Sequence, residues 1–196
     1  MKVLIAEDDP VVALGLEKRI RSLGHVPVGP VGDGHDAVAE AEATAPDVYL
    51  FDIGLPGLDG LEAATRLAEL GLRRPVVIVT GADDPALIER AISSGVGAYL
   101  TKPIESRELE AAIAVATARH EELRALEAEV QSGRQALEDR KLVERAKGLL
   151  MSALQLSEPE AFGRIQRTAR ERNLRLVEVA RAIVDQEPVL GGSARR

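Results

Sequence analysis

Short apolar runs alternate with longer amphipathic segments through the first ~120 residues, a rhythm that predicts strand–helix units around a parallel sheet. Lys2 to Ala6 reads as a buried strand that ends in the acids Glu7, Asp8 and Asp9. From Pro10 to Leu23, Val11, Leu14, Leu16 and Ile20 recur at roughly helical spacing, and Gly24 is the stop signal. His25 to Val31 contains two prolines, which cannot donate to a central ladder, so it is expected at a sheet edge. A helix follows near Asp36–Thr44, then a strand from Asp47 to Phe51 that ends at Asp52. Leu61–Leu70 has a helical pattern. Pro75–Val79 is a β-branched run suited to burial on both faces of a parallel sheet. Pro85–Ser94 predicts another helix, Ala98–Leu100 a fifth strand, and Ile104 opens the next helix. The pattern predicts an α/β domain with a doubly wound, five-stranded parallel sheet.

Beyond Glu105 the periodicity changes character. Leu109, Ile113, Ala116, His120 and Leu123 keep a 4,3,4,3 spacing, and Leu126 and Val130 continue after a one-residue skip. Such a stripe fits a coiled-coil seam with a phase slip, or a last helix that overruns its domain. Gln131–Gly133 is read as the break. A small domain of three helices then follows: Asp139 or Arg140 to Leu154, a second opened by the capping-box pair Ser157 and Glu160, and a third near Leu174–Val184. The expected boundaries are a sheet domain over 1–122, a helical coiled-coil connector over 123–137, a three-helix domain over 138–186 and a flexible tail over 187–196.

Composition narrows the chemistry. The absence of cysteine excludes disulfides and thiolate metal sites. No apolar stretch nears the ~20 residues of a membrane span, and Met1–Ala6 resembles no targeting segment, so a cytoplasmic location is expected. From Glu138 onward there are 12 Lys and Arg against 9 Asp and Glu, whereas the preceding 137 residues carry 13 against 23. Only the later part is suited to a polyanion. His25, His35 and His120 are scattered and offer no ligand spacing.

Three expected strand ends carry reactive groups: Glu7-Asp8-Asp9, Asp52, and Lys102 before Pro103, with the hydroxyl of Thr80 at a fourth. Neighbouring carboxylates repel unless a positive charge sits among them, and a hard divalent ion such as Mg²⁺ with oxygen ligands supplies one. Lys102 adds a fixed charge for a phosphoryl oxygen or a carboxylate. The set describes a carboxylate nucleophile for phosphorus, made competent by charge neutralisation. A solvated loop cluster is the plainer alternative. No separate nucleophile–base pair appears, so an enzyme in the ordinary sense is not expected.

Four blocks stand in order: Val3-Leu-Ile-Ala-Glu-Asp-Asp-Pro10, Asp52-Ile-Gly-Leu-Pro-Gly-Leu-Asp-Gly60, Val79-Thr-Gly81 and Tyr99-Leu-Thr-Lys-Pro103. Together they resemble the CheY-like receiver domain of two-component response regulators over about residues 1–122. The resemblance implies that Asp52 accepts a phosphoryl group from a sensor histidine kinase. It also implies that Asp8, Asp52 and the carbonyl of Gly54 bind Mg²⁺ directly while Glu7 acts through water. Thr80 and Lys102 would grip the phosphoryl oxygens. Tyr99 lies at the aromatic switch position, or is core filler. Phosphorylation would bias the face made by the helix at Pro85–Ser94, the strand at Ala98–Leu100 and the helix beyond Ile104.

In the tail, Arg140-Lys-Leu-Val-Glu-Arg-Ala-Lys-Gly-Leu-Leu-Met151, Ser157-Glu-Pro-Glu-Ala-Phe162 and Asn173-Leu-Arg-Leu-Val-Glu-Val-Ala180 resemble the ANTAR domain of transcription antitermination regulators. Gln166 and Arg170 depart from the family's usual types. The resemblance implies binding to stem-loop RNA in a nascent transcript, with RNA polymerase an indirect partner and a homodimer favoured by phosphorylation. Physically, Ala146 and Gly148 permit close helix packing and Phe162 is expected to anchor the core. The polar candidates for RNA are Arg140, Lys141, Arg145, Lys147, Arg164, Arg167, Arg170, Arg172, Asn173 and Arg175. With no exposed Tyr or Trp expected, recognition of a structured stem-loop by charge and shape is favoured over grip on a plain single strand. A DNA-binding regulator, or a receiver whose helical tail serves only dimerisation and protein docking, remain the alternatives.

Overall fold

A computed structural model describes residues 1–81, 89–90 and 96–186. The helix expected at Pro85–Ser94 and the tail over 187–196 lie outside the described residues, apart from 89–90. Two compact units divide the chain, Met1–Ala125 and Leu126–Arg196.

In the first unit, β1 (Lys2–Ala6), α1 (Pro10–Ser22), β2 (Val26–Val31), α2 (Gly34–Thr44), β3 (Val48–Asp52), α3 (Gly60–Glu69), β4 (Val76–Thr80) and β5 (Ala98–Thr101) follow in order. All pairings are parallel and the sheet order is β2-β1-β3-β4-β5. β2 takes the edge, as its prolines require. The chain leaves β1 for one edge and returns to β3 on its other side. That reversal opens a crevice at the carboxyl ends of β1 and β3, where open α/β sheets place their sites.

The two-residue period of the strands feeds two separate cores. Val3, Ile5, Val48, Leu50, Val77 and Val79 point to one face and pack with Leu16, Ile20, Leu109 and Ile113. Leu4, Ala6, Tyr49, Phe51 and Ile78 point to the other and pack with Ala37, Ala41, Leu61 and Leu67. Each such fully buried aliphatic side chain contributes about 1.5–3 kcal/mol. The helices that cover these faces are individually anchored. Asp9 caps α1 by accepting from the amides of Val11 and Val12 at 2.8 and 3.2 Å. Asp59 caps α3 by accepting from Leu61 and Glu62, while Glu62 accepts from the Asp59 amide at 3.0 Å.

α4 runs from Ser106 to Leu154, 49 residues, with residues to Ala125 in the first unit and the rest in the second. Helix therefore passes through Gln131–Gly133, where the sequence predicts a break. One helical glycine costs only about 1 kcal/mol, no proline intervenes, and the Gln135 amide bonds to Asp139 one turn on at 2.7 Å. The apolar stripe divides along α4. Leu109, Ile113 and Ala116 are buried against the sheet, whereas Leu123, Leu126 and Val130 are each more than half exposed.

In the second unit the last turns of α4 pack with α5 (Glu158–Arg172) and α6 (Leu176–Asp185). Glu160 begins α5 by accepting from the Ser157 amide and hydroxyl at 2.8 and 2.6 Å. The core is small: Ala146, Ile165, Ala169, Val179 and Ala180, edged by partly buried Leu142, Val143, Leu150, Leu176, Ile183 and Val184. Phe162 is only half buried and stands outside this cluster, contrary to its expected role as anchor. Three alanines, one isoleucine and one valine close the centre instead. Nor does Gly148 serve packing, because a Cβ there would meet nothing within 4 Å.

Candidate functional site

At the sheet's carboxyl end, Glu7 follows β1, Asp52 closes β3, Thr80 closes β4 and Lys102 follows β5. Burial is steep here: Glu7 is 3 % exposed, Asp52 7 % and Thr80 1 %, whereas Asp8 faces solvent. One ligand oxygen each from Glu7, Asp8 and Asp52 lie within 4.8 Å of one another. Lys102 donates to Glu7 Oε1 at 2.8 Å and stands 3.4 Å from Asp52 Oδ1. Its ammonium also lies 2.7 Å from Glu7 Oε2, close enough for an ion pair, yet that buried oxygen receives no directed hydrogen bond. Burial pushes the Glu7 carboxyl above its usual range, the Lys102 hydrogen bond opposes this, and the charge of Asp52 raises it further.

Three carboxylates therefore lie together with one lysine, which contacts two of them, Glu7 and Asp52. The excess negative charge and the unsatisfied Glu7 oxygen fit a small hard cation bound between β1 and β3. Asp9 is not part of this cluster's ligand set, since its carboxylate is occupied in capping α1. The loop after Asp52 is held tightly. A side chain at Gly60 would collide with the Asp52 carbonyl oxygen, and one at Gly34 with that of Leu58. Gly54 is exposed beside the cluster, its position for a Cβ lying 3.4 Å from Asp52 Oδ2. Tyr99, half buried on β5, packs against the core face that holds Phe51 and Ile78. Sequence reasoning misses Arg90, which donates to Asp59 at 2.8 Å and so meets the cap of α3. The Asp59–Glu62 spacing was the readable half of that arrangement.

Residues 3–114 match the response regulator receiver domain and residues 132–184 the ANTAR domain. The chain belongs to the response regulator family and carries a C-terminal ANTAR domain. Over 184 residues it is 41% identical to the transcriptional regulatory protein PdtaR of Mycobacterium tuberculosis, covering 94% of this chain and 89% of that one. The positive alginate biosynthesis regulatory protein of Pseudomonas aeruginosa is 37% identical over 115 residues, 58% of this chain and 46% of that one. Among solved structures, the signal receiver domain of a modulated diguanylate cyclase from Desulfovibrio desulfuricans G20 matches with a TM-score of 0.57. It is 35% identical and covers 61% of this chain and 95% of that one. Receiver and ANTAR domains are regulatory, and the five-stranded sheet of this response regulator has the CheY-like fold. Among the described residues no helix is long and apolar enough to cross a membrane.

In the ANTAR unit, Arg140, Lys141, Arg145, Arg164, Arg167, Arg170, Arg172, Asn173 and Arg175 are exposed. Asn173 takes the left-handed conformation, φ 51°, that ends α5. Lys147 differs from the other candidates. It is 8 % exposed, donates to Glu158 at 2.6 Å, pairs with Glu144 at 2.9 Å and lies 5.7 Å from the centre of the Phe162 ring. Those carboxylates hold its ammonium above the usual lysine range, Glu144 more than Glu158. Its charge is spent inside the unit, joining α4 to α5. Only the three-dimensional contact reveals this, because Glu158 is eleven residues away and on another helix.

Proposed function

We propose that this response regulator is switched by phosphorylation at Asp52 to bind stem-loop RNA in a nascent transcript and prevent transcription termination. The observation that carries the reading is a buried, lysine-bridged carboxylate cluster in the same chain as an ANTAR unit with a cation-bearing surface. Glu7, Asp8 and Asp52, with the Gly54 carbonyl, would hold Mg²⁺, which when bound offsets the charge of the carboxylates and of a phosphoryl group. An Asp52 carboxylate oxygen takes the phosphoryl group from a histidine of a sensor kinase, and the bond to that histidine breaks. Lys102 leaves its Glu7 contact and, with the Thr80 hydroxyl, grips the phosphoryl oxygens. Tyr99, on the same strand as the Lys102 approach, moves with Thr80 and alters the face around β5 and the start of α4.

In this reading residues 1–122 are the receiver, 123–137 the connector and 138–186 the RNA-binding domain, in a cytoplasmic protein. Leu123, Leu126 and Val130 are uncovered in the chain alone, which supports a connector that pairs with a second copy as a coiled coil on phosphorylation. The exposed arginines supply salt-dependent phosphate contacts. Kinship with a transcriptional regulatory protein over nearly the whole chain supports action on transcription.

The test is binding of the full chain to a panel of hairpin RNAs and to duplex DNA, with and without beryllofluoride and Mg²⁺. Tighter, salt-dependent hairpin binding on activation, abolished by Asp52→Ala, is the expected result. Preference for duplex DNA, or binding to neither, would remove the RNA assignment and leave the receiver in place.

A further inference from the structure

We propose that the ANTAR unit contains a receptor for a single unpaired RNA base, built around the partly exposed Phe162 between α4, α5 and α6. The proposal rests on the RNA-binding reading above and gives it a location. A hollow of 490 Å³ opens there, with Val143, Phe162, Leu176 and Val177 as its apolar walls. Arg140 and Arg175 stand on the same lining.

Phe162 is the only aromatic residue after Tyr99 in the whole chain. An aromatic ring is the largest apolar contribution a small helical unit can make to its own core. This unit nevertheless closes its centre with Ala146, Ile165, Ala169, Val179 and Ala180 and leaves Phe162 partly exposed at the edge of the hollow. The ring is also held in place, because Lys147 sits over it and is itself fixed by Glu144 and Glu158. A fixed, partly exposed aromatic side chain is suited to stacking with a nucleobase.

The charges on the lining match the same ligand. Arg140 has no ion pair among the described residues, and the guanidinium of Arg175 makes only a 3.4 Å contact with Glu178. Their planar guanidinium groups can take phosphates on either side of an inserted base, or stack on the base itself. Asp139 and Glu144 also line the hollow and would repel a phosphate placed inside it. They accept hydrogen bonds instead, and the edges of bases carry N–H donors. The lining therefore favours a base within and phosphates at the rim. Loops and bulges in RNA present such splayed bases, whereas a duplex does not. One Phe-lined receptor per unit would add to the stem-loop recognition by charge and shape expected from the lack of Tyr and Trp.

The experiment uses the full chain, activated with beryllofluoride and Mg²⁺, and a bound hairpin carrying 2-aminopurine at one loop position at a time. One position is expected to lose fluorescence on binding, and Phe162→Leu to abolish that change while weakening binding by about tenfold. Replacing that nucleotide by an abasic one should weaken the wild type about tenfold and the Phe162→Leu protein hardly at all, a coupling that a folding defect does not produce. Arg140→Gln should reduce affinity and lower the salt dependence of binding. Hairpin binding unchanged by Phe162→Leu, with no loop position responding, would overturn the receptor while leaving RNA binding intact. A hairpin that binds neither protein would overturn both.

Discussion

The receiver and the ANTAR unit solve the placement of charge in opposite ways. In the receiver, Glu7 and Asp52 are sunk at the ends of central strands, with one lysine between them and a carboxylate oxygen left unsatisfied. Two large aliphatic cores flank that sheet and support the cost of the buried charge. The ANTAR unit has a core mostly of alanine and keeps its cations outside, apart from Lys147, which two carboxylates neutralise. The difference teaches where each unit can afford strain. A thick core tolerates an electrostatically incomplete site poised for a ligand, while a thin one must keep its charges solvated or paired.

That contrast can be broken most forcefully in the cores. Ile165→Ala, at the single large residue buried at the centre of the ANTAR unit, is expected to cost about 2–5 kcal/mol and unfold that unit at moderate temperature. Ile78→Ala should cost the receiver a similar amount yet leave it folded at 25 °C. Hydrogen exchange resolved by segment distinguishes the two; equal protection of both units in both variants would refute the contrast. Next in size is metal dependence. Mg²⁺ at a hundredfold its Kd should stabilise the receiver by about 2.7 kcal/mol and leave the ANTAR unit unmoved, as read by calorimetry with and without EDTA.

A smaller gain is expected from Gly148→Ala, since helix propensity improves by about 1 kcal/mol and the added methyl meets nothing. A rise in the ANTAR melting temperature checks this, and a fall would show that Gly148 is needed within the chain. The smallest effect concerns acid. Glu158, Glu160 and Glu178 are held below the ordinary 4.5, Glu158 by Lys147, Glu160 by Ser157 and Glu178 by the Arg175 amide. Their stabilisation is present above pH 4.5 and lost as pH falls through their folded values. Glu7 runs the other way: its raised folded value means that its contribution is lost as pH rises from 4.5. A melting curve followed by segment at pH 6 and pH 3.5 should show the ANTAR unit weakening on acidification, and Glu158→Gln should blunt that change.

The receiver was largely legible in the sequence because strand ends are easy to find and the parallel sheet brings them together. Glu7, Asp52, Thr80 and Lys102 each follow an apolar run, and Pro27 and Pro30 mark β2 as an edge. Gly133 was misleading, since a lone glycine weakens a helix without ending it. The ANTAR interior was obscure for a different reason. Helical periodicity says which face is apolar, not which of its residues fills the centre, so it could not show that Phe162 stands outside the buried cluster or that Lys147 is buried and paired. Arg90 and Asp59 are 31 residues apart, and no local pattern relates them.

The alanines at the centre of the ANTAR unit also shape how its gene can drift. Ala146, Ala161 and Ala180 are wholly enclosed. Every single-base change of an alanine codon that alters the residue yields something larger or more polar, save for glycine. Enlargement of a closed site typically costs about 1–3 kcal/mol, and glycine in a helix about 1 kcal/mol. Nearly all one-step variants at these positions are therefore harmful, and recovery requires a second, space-making change at a neighbour. The small centre of this unit should consequently change in pairs of substitutions, whereas packing imposes no such coupling on its exposed arginines.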